Sequence, residues 1–368
     1  MNDENNPGEH GFGSTRYGND PNKPLLEWYF EKSHRSSVEN TQDRVRRAID
    51  DYNAFLQKKK KKPNEVTIDD AYEWLRELTD AVGASEQQSR SMWIRDFYNF
   101  CNSRGHSEIT GNPIGIALNE NPNLLDKPQD RDPHIISVAE MADFITSFNH
   151  PMWIAITTLL AKTTVRKAPI HNLDLYDVNI DHPACDWEVH PDIRHNKNYI
   201  HIPRDPEKGK EFRGEIRDGS NKTSVNRVIP LDDEARDALL FWLLIRPGEL
   251  KAQTPLFRTL SPTNGRDYGD RITYGRIDKQ IVAKAKEMGH WYEAYDDDNI
   301  NPHYFRHWST TILEERVENP TIVDMLRGDS GEKTRDRYTH WTENKEKQYL
   351  NAVPKFFEDD LIKESLYA

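Results

Sequence analysis

Apolar residues recur at helical spacing through most of the chain. Val45, Ile49, Tyr52 and Leu56 follow one another at steps of four, three and four, one stripe of a helix that ends before the run Lys58 to Lys62. Thr67 with Asp70 has the spacing of a capping pair at the head of a helix carrying Ala71, Trp74, Leu75 and Leu78, and Ser85 with Gln88 opens another whose apolar face is Trp93, Ile94, Phe97, Phe100 and Cys101. These helices predict a small all-α domain over residues 22–118. Residues 119–133 contain Asn121-Pro122, Lys127-Pro128 and Asp132-Pro133, a composition that disfavours both helix and strand interiors, and read as a linker. Ser137 with Glu140 then opens a helix, and a strongly apolar helix follows over 151–162. Between Cys185 and Leu231 the period shortens to two, clearest in Tyr199 to Ile202 and Arg227 to Leu231, on either side of a polar, Gly-containing stretch. Helical periodicity returns over 235–245, 277–285, 304–313 and 321–326. The pattern predicts a mainly α fold: a helical N-terminal domain, then a mostly helical domain over 134–350 with one small antiparallel sheet, and a C-terminal tail or helix over 351–368.

Composition narrows the class. With 35% hydrophobic and 30% charged residues over 368 positions, the chain is long enough for two packed domains and too apolar for a disordered one. No run approaches the roughly 18 apolar residues of a membrane span. Residues 1–21 are polar and Gly/Asn-rich without an apolar core, so they read as a flexible tail and not as a signal peptide. The expected setting is soluble and cytoplasmic. Two cysteines, Cys101 and Cys185, exclude a disulfide framework and a four-Cys zinc site, and both are expected as buried thiols. The net charge of −12 argues against a nucleic-acid partner, but 50 Lys plus Arg among 62 acids leave room for a basic face, and Lys58 to Lys62 reads equally as a solvated loop or a DNA-facing one. Such an acidic surplus is also what a salt-rich, halophilic cytoplasm would favour.

The most informative segment is His303-Tyr304-Phe305-Arg306-His307. It follows Asn301-Pro302, a helix start, so His303, Arg306 and His307 share one helical face. A guanidinium beside imidazoles suits a phosphate, since Arg binds two oxygens and His can carry a proton. Two histidines at i and i+4 could instead hold zinc in a metal-dependent hydrolase, but the Glu of a zinc-protease helix is absent and Arg306 would repel the cation. Other segments give this one company: Thr163-Thr164-Val165-Arg166 after an apolar helix, Lys222-Thr223 leading into Arg227 to Leu231, Gly328-Asp329-Ser330, and Thr334 to His340 around Tyr338.

This order of Arg, Lys, His-x-x-Arg and Tyr resembles the tyrosine recombinase (phage integrase) family over residues 22–350. In that family the hairpin lysine stands eight residues before the proline of the next strand, as Lys222 does before Pro230, and the tyrosine follows the Gly-His or Gly-Trp motif by nine, as Tyr338 follows Asp329. The resemblance implies a SAM-like core-binding domain and a catalytic domain forming a clamp around duplex DNA with paired core inverted repeats, a tetramer on DNA, and neither metal nor cofactor. It implies that Arg166 and Arg306 hold the scissile phosphate, Tyr338 attacks it, His303 moves a proton, and Lys222 protonates the leaving oxygen. Lys208 and Lys210 compete for that last role. His307 is expected to be structural, packing or hydrogen-bonding behind the site, and His340 is not expected to touch it. With only about twenty residues before the helical domain, an arm-site-binding domain is not expected. Three positions depart from the family pattern: Asp329 replaces the usual His or Trp, Thr164 the usual Gly, and Pro169 the acidic residue of the first motif, which places the next helix start at 167 or 168. The alternative is an inactive DNA-binding relative. The C-terminal segment from Val353 to Leu366 is expected to pack on a neighbouring protomer or within its own chain.

Overall fold

The computed structural model describes residues 23–34, 39–104, 109, 111–127, 134–223, 225–262, 266–291, 299–328 and 341–357. It divides into two compact units, residues 1–132 and 133–368.

The first unit is helical: α1 (Lys23–Ser33), α2 (Glu39–Lys59), α3 (Ile68–Ala81), α4 (Ala84–Ser103) and α5 (Pro113–Glu120). Its core takes Val45, Ile49, Tyr52 and Leu56 from α2, Ala71, Trp74, Leu75 and Leu78 from α3, and Ile94, Phe97, Tyr98 and Cys101 from α4. The cap of α3 is as the spacing predicts, Thr67 accepting from the Asp70 backbone N–H while the Asp70 carboxylate accepts from the Thr67 N–H. The cap of α4 is not: the helix starts from Gly83, Ser85 lies inside its first turn, and buried Gln87 reaches back to donate to Val82 O at 2.8 Å. α2 runs on into the lysine run as far as Lys59 instead of ending before it, and three of the five lysines are tied to acids of α3, Lys58 to Glu77, Lys59 to Glu73 and Lys61 to Asp70, so that part of the run is neutralised within its own unit.

The second unit builds its core around α7 (Pro151–Thr163), which is buried on nearly every side and carries α9 (Asp233–Ile245) and α11 (Pro302–Glu314) against it. The one charged residue of α7 is Lys162, 1% exposed, whose ammonium reaches Asp232 and Glu234 at 2.7 Å each and Pro354 O at 2.8 Å. Burying that charge is tolerable because acceptors from three residues close around it. Around this centre lie α6 (Val138–Thr146), α8 (Lys167–Asn172), α10 (Tyr274–Glu287), α12 (Thr321–Arg327) and α13 (Glu343–Ala352). A three-stranded antiparallel sheet runs in the order β1 (Val178–Asn179), β2 (Tyr199–Ile202), β5 (Arg227–Pro230), with Ile200 opposite Ile229. The polar stretch between β2 and β5 folds its own hairpin, β3 (Glu211–Phe212) with β4 (Glu215–Ile216). The fold is thus mainly α with small antiparallel sheets. Val353 and Phe356 are buried in this unit's own core, and the Phe356 N–H donates to Glu234, so the described part of the C-terminal segment packs within its own chain. No helix among the described residues is long and apolar enough to cross a membrane. Cys101 is buried and Cys185 only partly so.

An ion network holds the sheet to the helices. Asp174, fully buried, accepts from Arg217 at 2.9 Å, Arg271 at 2.5 Å and Arg213 at 3.1 Å, and Arg213 also grips Asp177 with both terminal nitrogens. The partners lie 36 to 97 residues apart along the chain, so this arrangement exists only in the folded state.

Candidate active site

Several of the residues singled out in the sequence converge in the second unit. α7 ends at Thr164 in the left-handed conformation, φ 54° and ψ 8°. A β-branched residue is strained there by about 1–2 kcal/mol, which is why a glycine is the expected occupant. The turn aims the Thr164 carbonyl at Arg306, whose Nη1 donates to it at 2.8 Å and to Arg327 O at 3.2 Å. Two carbonyls on one nitrogen fix the guanidinium of a side chain that is only 4% exposed. Arg166, two residues beyond Thr164, stands partly buried at the N-cap of α8, and Pro169 fits that helix's first turn. Lys167 follows, packed over the Tyr274 ring and paired with Asp278; burial pulls its ammonium below the usual lysine value, against the opposing pull of that carboxylate.

The register of α11 is set by Asn301, which accepts from the backbone N–H of His303 and Tyr304 at 2.8 and 3.0 Å, with Pro302 at the first helical position. Tyr304, Arg306 and Trp308 therefore turn inward while His303 and His307 face outward. Tyr304 donates to His134 O and Trp308 to Ile136 O, which pins the inward face. The two outward imidazoles meet, Nε2 to Nε2 at 2.9 Å with their rings perpendicular. Since one nitrogen must donate and the other accept, the pair shares a proton, and His307 sits beside His303 on the exposed face instead of behind the site.

Arg227, at the start of β5, donates Nη1 to Leu326 O, and α12 then stops at Gly328 in the left-handed conformation, φ 65°. A Cβ at Gly328 would lie 2.7 Å from Arg227 Nε, so the close passage of backbone over guanidinium requires glycine. Lys222 is exposed on the connection before β5, with φ 49°. Its neighbour Asn221 is buried, donates to Pro203 O at 2.6 Å and accepts from Asn172 at 2.7 Å. Asn172 closes α8, so the Lys222 loop hangs from the helix that Arg166 opens. Lys208 and Lys210 lie further back in the β2–β5 connection, where Lys210 pairs with Glu207. Asp329, Tyr338 and His340 lie outside the described residues. The chain on either side of them is anchored to β5, by Arg227 at Leu326 and by Trp341, which donates to Val228 O at 2.6 Å.

Sequence reasoning assigns no role to Arg227 or Trp341, though a charged residue opening an apolar strand was a usable signal. His303 and His307 have the spacing of a metal chelate, and Arg306 between them turns its positive charge inward, onto the Thr164 and Arg327 carbonyls, so the repulsion of a cation expected from the sequence is directed away from the outward face the two histidines share.

No protein-family profile matches the chain. Among curated proteins it is 24% identical over 322 residues to the tyrosine recombinase XerC of Pseudomonas savastanoi, covering 84% of this chain and 88% of the relative. It is 23% identical over 337 residues to the tyrosine recombinase XerD of Rickettsia conorii, covering 88% and 95%. Among solved structures, the integrase of transposon Tn1549 bound to transposon right-end DNA superposes with TM-score 0.59 at 18% identity, over 89% of this chain and 98% of that one. The lambda integrase tetramer bound to a Holliday junction gives 0.58 at 14%, over 87% and 78%. Both curated relatives are bacterial, and they lend no support to the halophilic origin that the acidic balance suggested. Near full-length similarity to two recombinases, a shared fold, and motif segments that meet around Arg306 agree with one another: in sequence and in fold the chain is similar to the tyrosine recombinases over most of its length.

Proposed function

We propose that the protein is a site-specific recombinase that cleaves and rejoins DNA strands through a 3′-phosphotyrosyl intermediate on Tyr338. The observation that carries this reading is the anchoring of Arg306 on the carbonyls of Thr164 and Arg327, which draws the Arg166 turn, α11 and the end of α12 to one place. Arg166 and Arg306 supply guanidinium forks for the non-bridging oxygens of the scissile phosphate, where charge builds in a pentacovalent transition state. Tyr338 stands in the sequence three residues before Trp341, which donates to Val228 O of β5. Its phenol, with an ordinary pKa of about 10, needs cations and a base to give up its proton, and His303, sharing a proton with His307, is the base. The Tyr338 oxygen bonds to phosphorus as the 5′-oxygen leaves with a proton from Lys222, and religation reverses these transfers. The phosphodiester energy stays in the phosphotyrosine, so the cycle needs neither ATP nor metal. The partner is duplex DNA with paired inverted core repeats, bound by four copies of the chain, as the lambda integrase tetramer on its junction suggests.

The test is trapping on a nicked suicide duplex carrying the gene's flanking sequence, in EDTA, followed by a denaturing gel. A covalent adduct that is absent from Tyr338→Phe is expected. Tight binding of that duplex without adduct would favour the inactive DNA-binding reading, and cleavage that EDTA abolishes would favour a metal-dependent hydrolase.

A further inference from the structure

Away from the Arg306 cluster, the connection between β1 and β2 returns to the sheet at three metal-ligating side chains. We propose that His190, Asp192 and His201 bind a first-row divalent ion, zinc foremost, that fastens this connection to β2.

One nitrogen, one carboxylate oxygen and a second nitrogen, contributed by these three residues, all lie within 4.8 Å of one another. The Asp192 Oδ2 atom is 3.7 Å from His190 Nδ1 and 3.9 Å from His201 Nε2. Tetrahedral zinc with bonds of about 2.0–2.1 Å puts its ligands about 3.4 Å apart, so the carboxylate oxygen stands a few tenths of an ångström too far from each nitrogen, and the two imidazoles must also turn relative to each other. His201 is prepared for the task. Its side chain is 2% exposed, and its Nδ1 stands 3.0 Å from the buried Asp177 carboxylate, which can only accept, so Nδ1 carries the proton and Nε2 the lone pair. That Nε2 makes no hydrogen bond among the described residues. Asp177 is itself held by both terminal nitrogens of Arg213, so the His201 ring cannot turn without breaking a buried ion pair. A carboxylate behind an imidazole that presents a bare nitrogen is the support that metal-bound histidines use.

The His190 ring lies stacked on that of His201, centroids 3.6 Å apart and planes within 7°. Lone pairs in parallel planes run side by side, so one ring must tilt before both reach a single ion. His190 is the one that can, being 21% exposed and held at Nδ1 by the Asp192 backbone N–H at 3.2 Å, a bond it exchanges for the ion, while Asp192 is 54% exposed. Two imidazoles and one carboxylate leave a fourth position for water, and imidazole ligation selects zinc, nickel, cobalt or copper over magnesium and calcium.

The experiment uses the full chain, stripped with EDTA and dialysed, with zinc added in a calorimeter and Co2+ followed by its visible absorption. His303→Ala/His307→Ala serves as the background, so that the exposed pair on α11 contributes nothing. One equivalent bound, an intense tetrahedral Co2+ band and a higher unfolding temperature are expected. Asp192→Asn, at the surface, and His190→Ala, partly exposed on the connection, should each weaken zinc by about tenfold or more, with the unfolding temperature of each metal-free variant showing that it folds. The proposal is overturned if the background variant shows no saturable zinc binding below about 1 mM, or if both substitutions leave the affinity unchanged.

Discussion

Gly328→Ala probes how β5 locks the end of α12. The substitution places a Cβ at φ 65°, a conformation that costs an L-residue about 1–2 kcal/mol. It also puts that carbon 2.7 Å from Nε and 2.8 Å from Cδ of Arg227. These atoms are the middle of a side chain only 8% exposed whose far end is bonded to Leu326 O, so it cannot swing aside without giving up that bond. A hydrogen bond from a charged donor is worth about 1.5–3 kcal/mol, which brings the expected loss to about 3–4 kcal/mol. Gly289→Ala is the control: φ there is 78° and nothing lies within 4 Å of a new Cβ, so only the backbone strain of about 1–2 kcal/mol should appear. Urea unfolding of both variants, with Arg227→Ala and the double variant, gives a cycle in which Gly328→Ala and Arg227→Ala should couple by about 2 kcal/mol. Adduct formation should fall in Gly328→Ala and hold in Gly289→Ala. If Gly328→Ala costs no more than Gly289→Ala, Arg227 does not lock the turn, and left-handed strain is the whole reason for a glycine at position 328.

Arg306→Lys keeps the charge but not the fork; adduct formation on the suicide duplex should fall by about 100-fold or more, and a lysine enzyme within tenfold of the parent would show that the fork's placement is not what matters. Lys162→Met leaves Glu234 without its cation and Asp232 with only the half-exposed Lys355, and should destabilise the second unit by about 3 kcal/mol in denaturant, whereas a neutral result would show that the buried charge is dispensable. Thr164→Gly removes left-handed strain and a buried hydroxyl that finds no partner among the described residues, and is expected to raise stability by about 1 kcal/mol in the same assay. Burial alone would raise the Asp70 carboxyl, but Lys61 and the Thr67 N–H and hydroxyl outweigh it and hold it at about 2. Because the folded value lies below the unfolded one, this stabilisation is complete above about pH 4 and disappears as the pH falls toward 2. Acid titration of parent and Asp70→Asn, followed by circular dichroism, should show the variant less stable at neutral pH and less pH-dependent across that window.

Local chemistry made much of this protein legible from its sequence. The stripe from Val45 to Leu56, the Thr67 and Ser137 capping boxes and the Asn301-Pro302 helix start are short-range effects, and each appears in the structure where the spacing puts it. Arg166, Lys222, His303, Arg306 and Tyr338 follow one another along the chain in the order of the tyrosine recombinase pattern, which is a matter of sequence and can be read there. Where two local signals competed, the reading slipped, as at α4, where Ser85 has the right side chain but Gly83 and the reach of Gln87 decide the start. The two-residue strands β3 and β4 are too short to show any period. Tertiary structure alone decided which charges could be buried. Lys162 looks like a surface residue at the end of an apolar helix until Asp232, Glu234 and Pro354 close around it from as far as 192 residues away. Asp174 is likewise paired with an arginine 97 positions later, and Thr164 accepts a strained turn because Arg306, 142 residues on, takes its carbonyl. Caps and periodicity act within a few residues and can be read along the chain, whereas a buried charge is stable only if distant partners arrive together, and that depends on the packing of the whole unit.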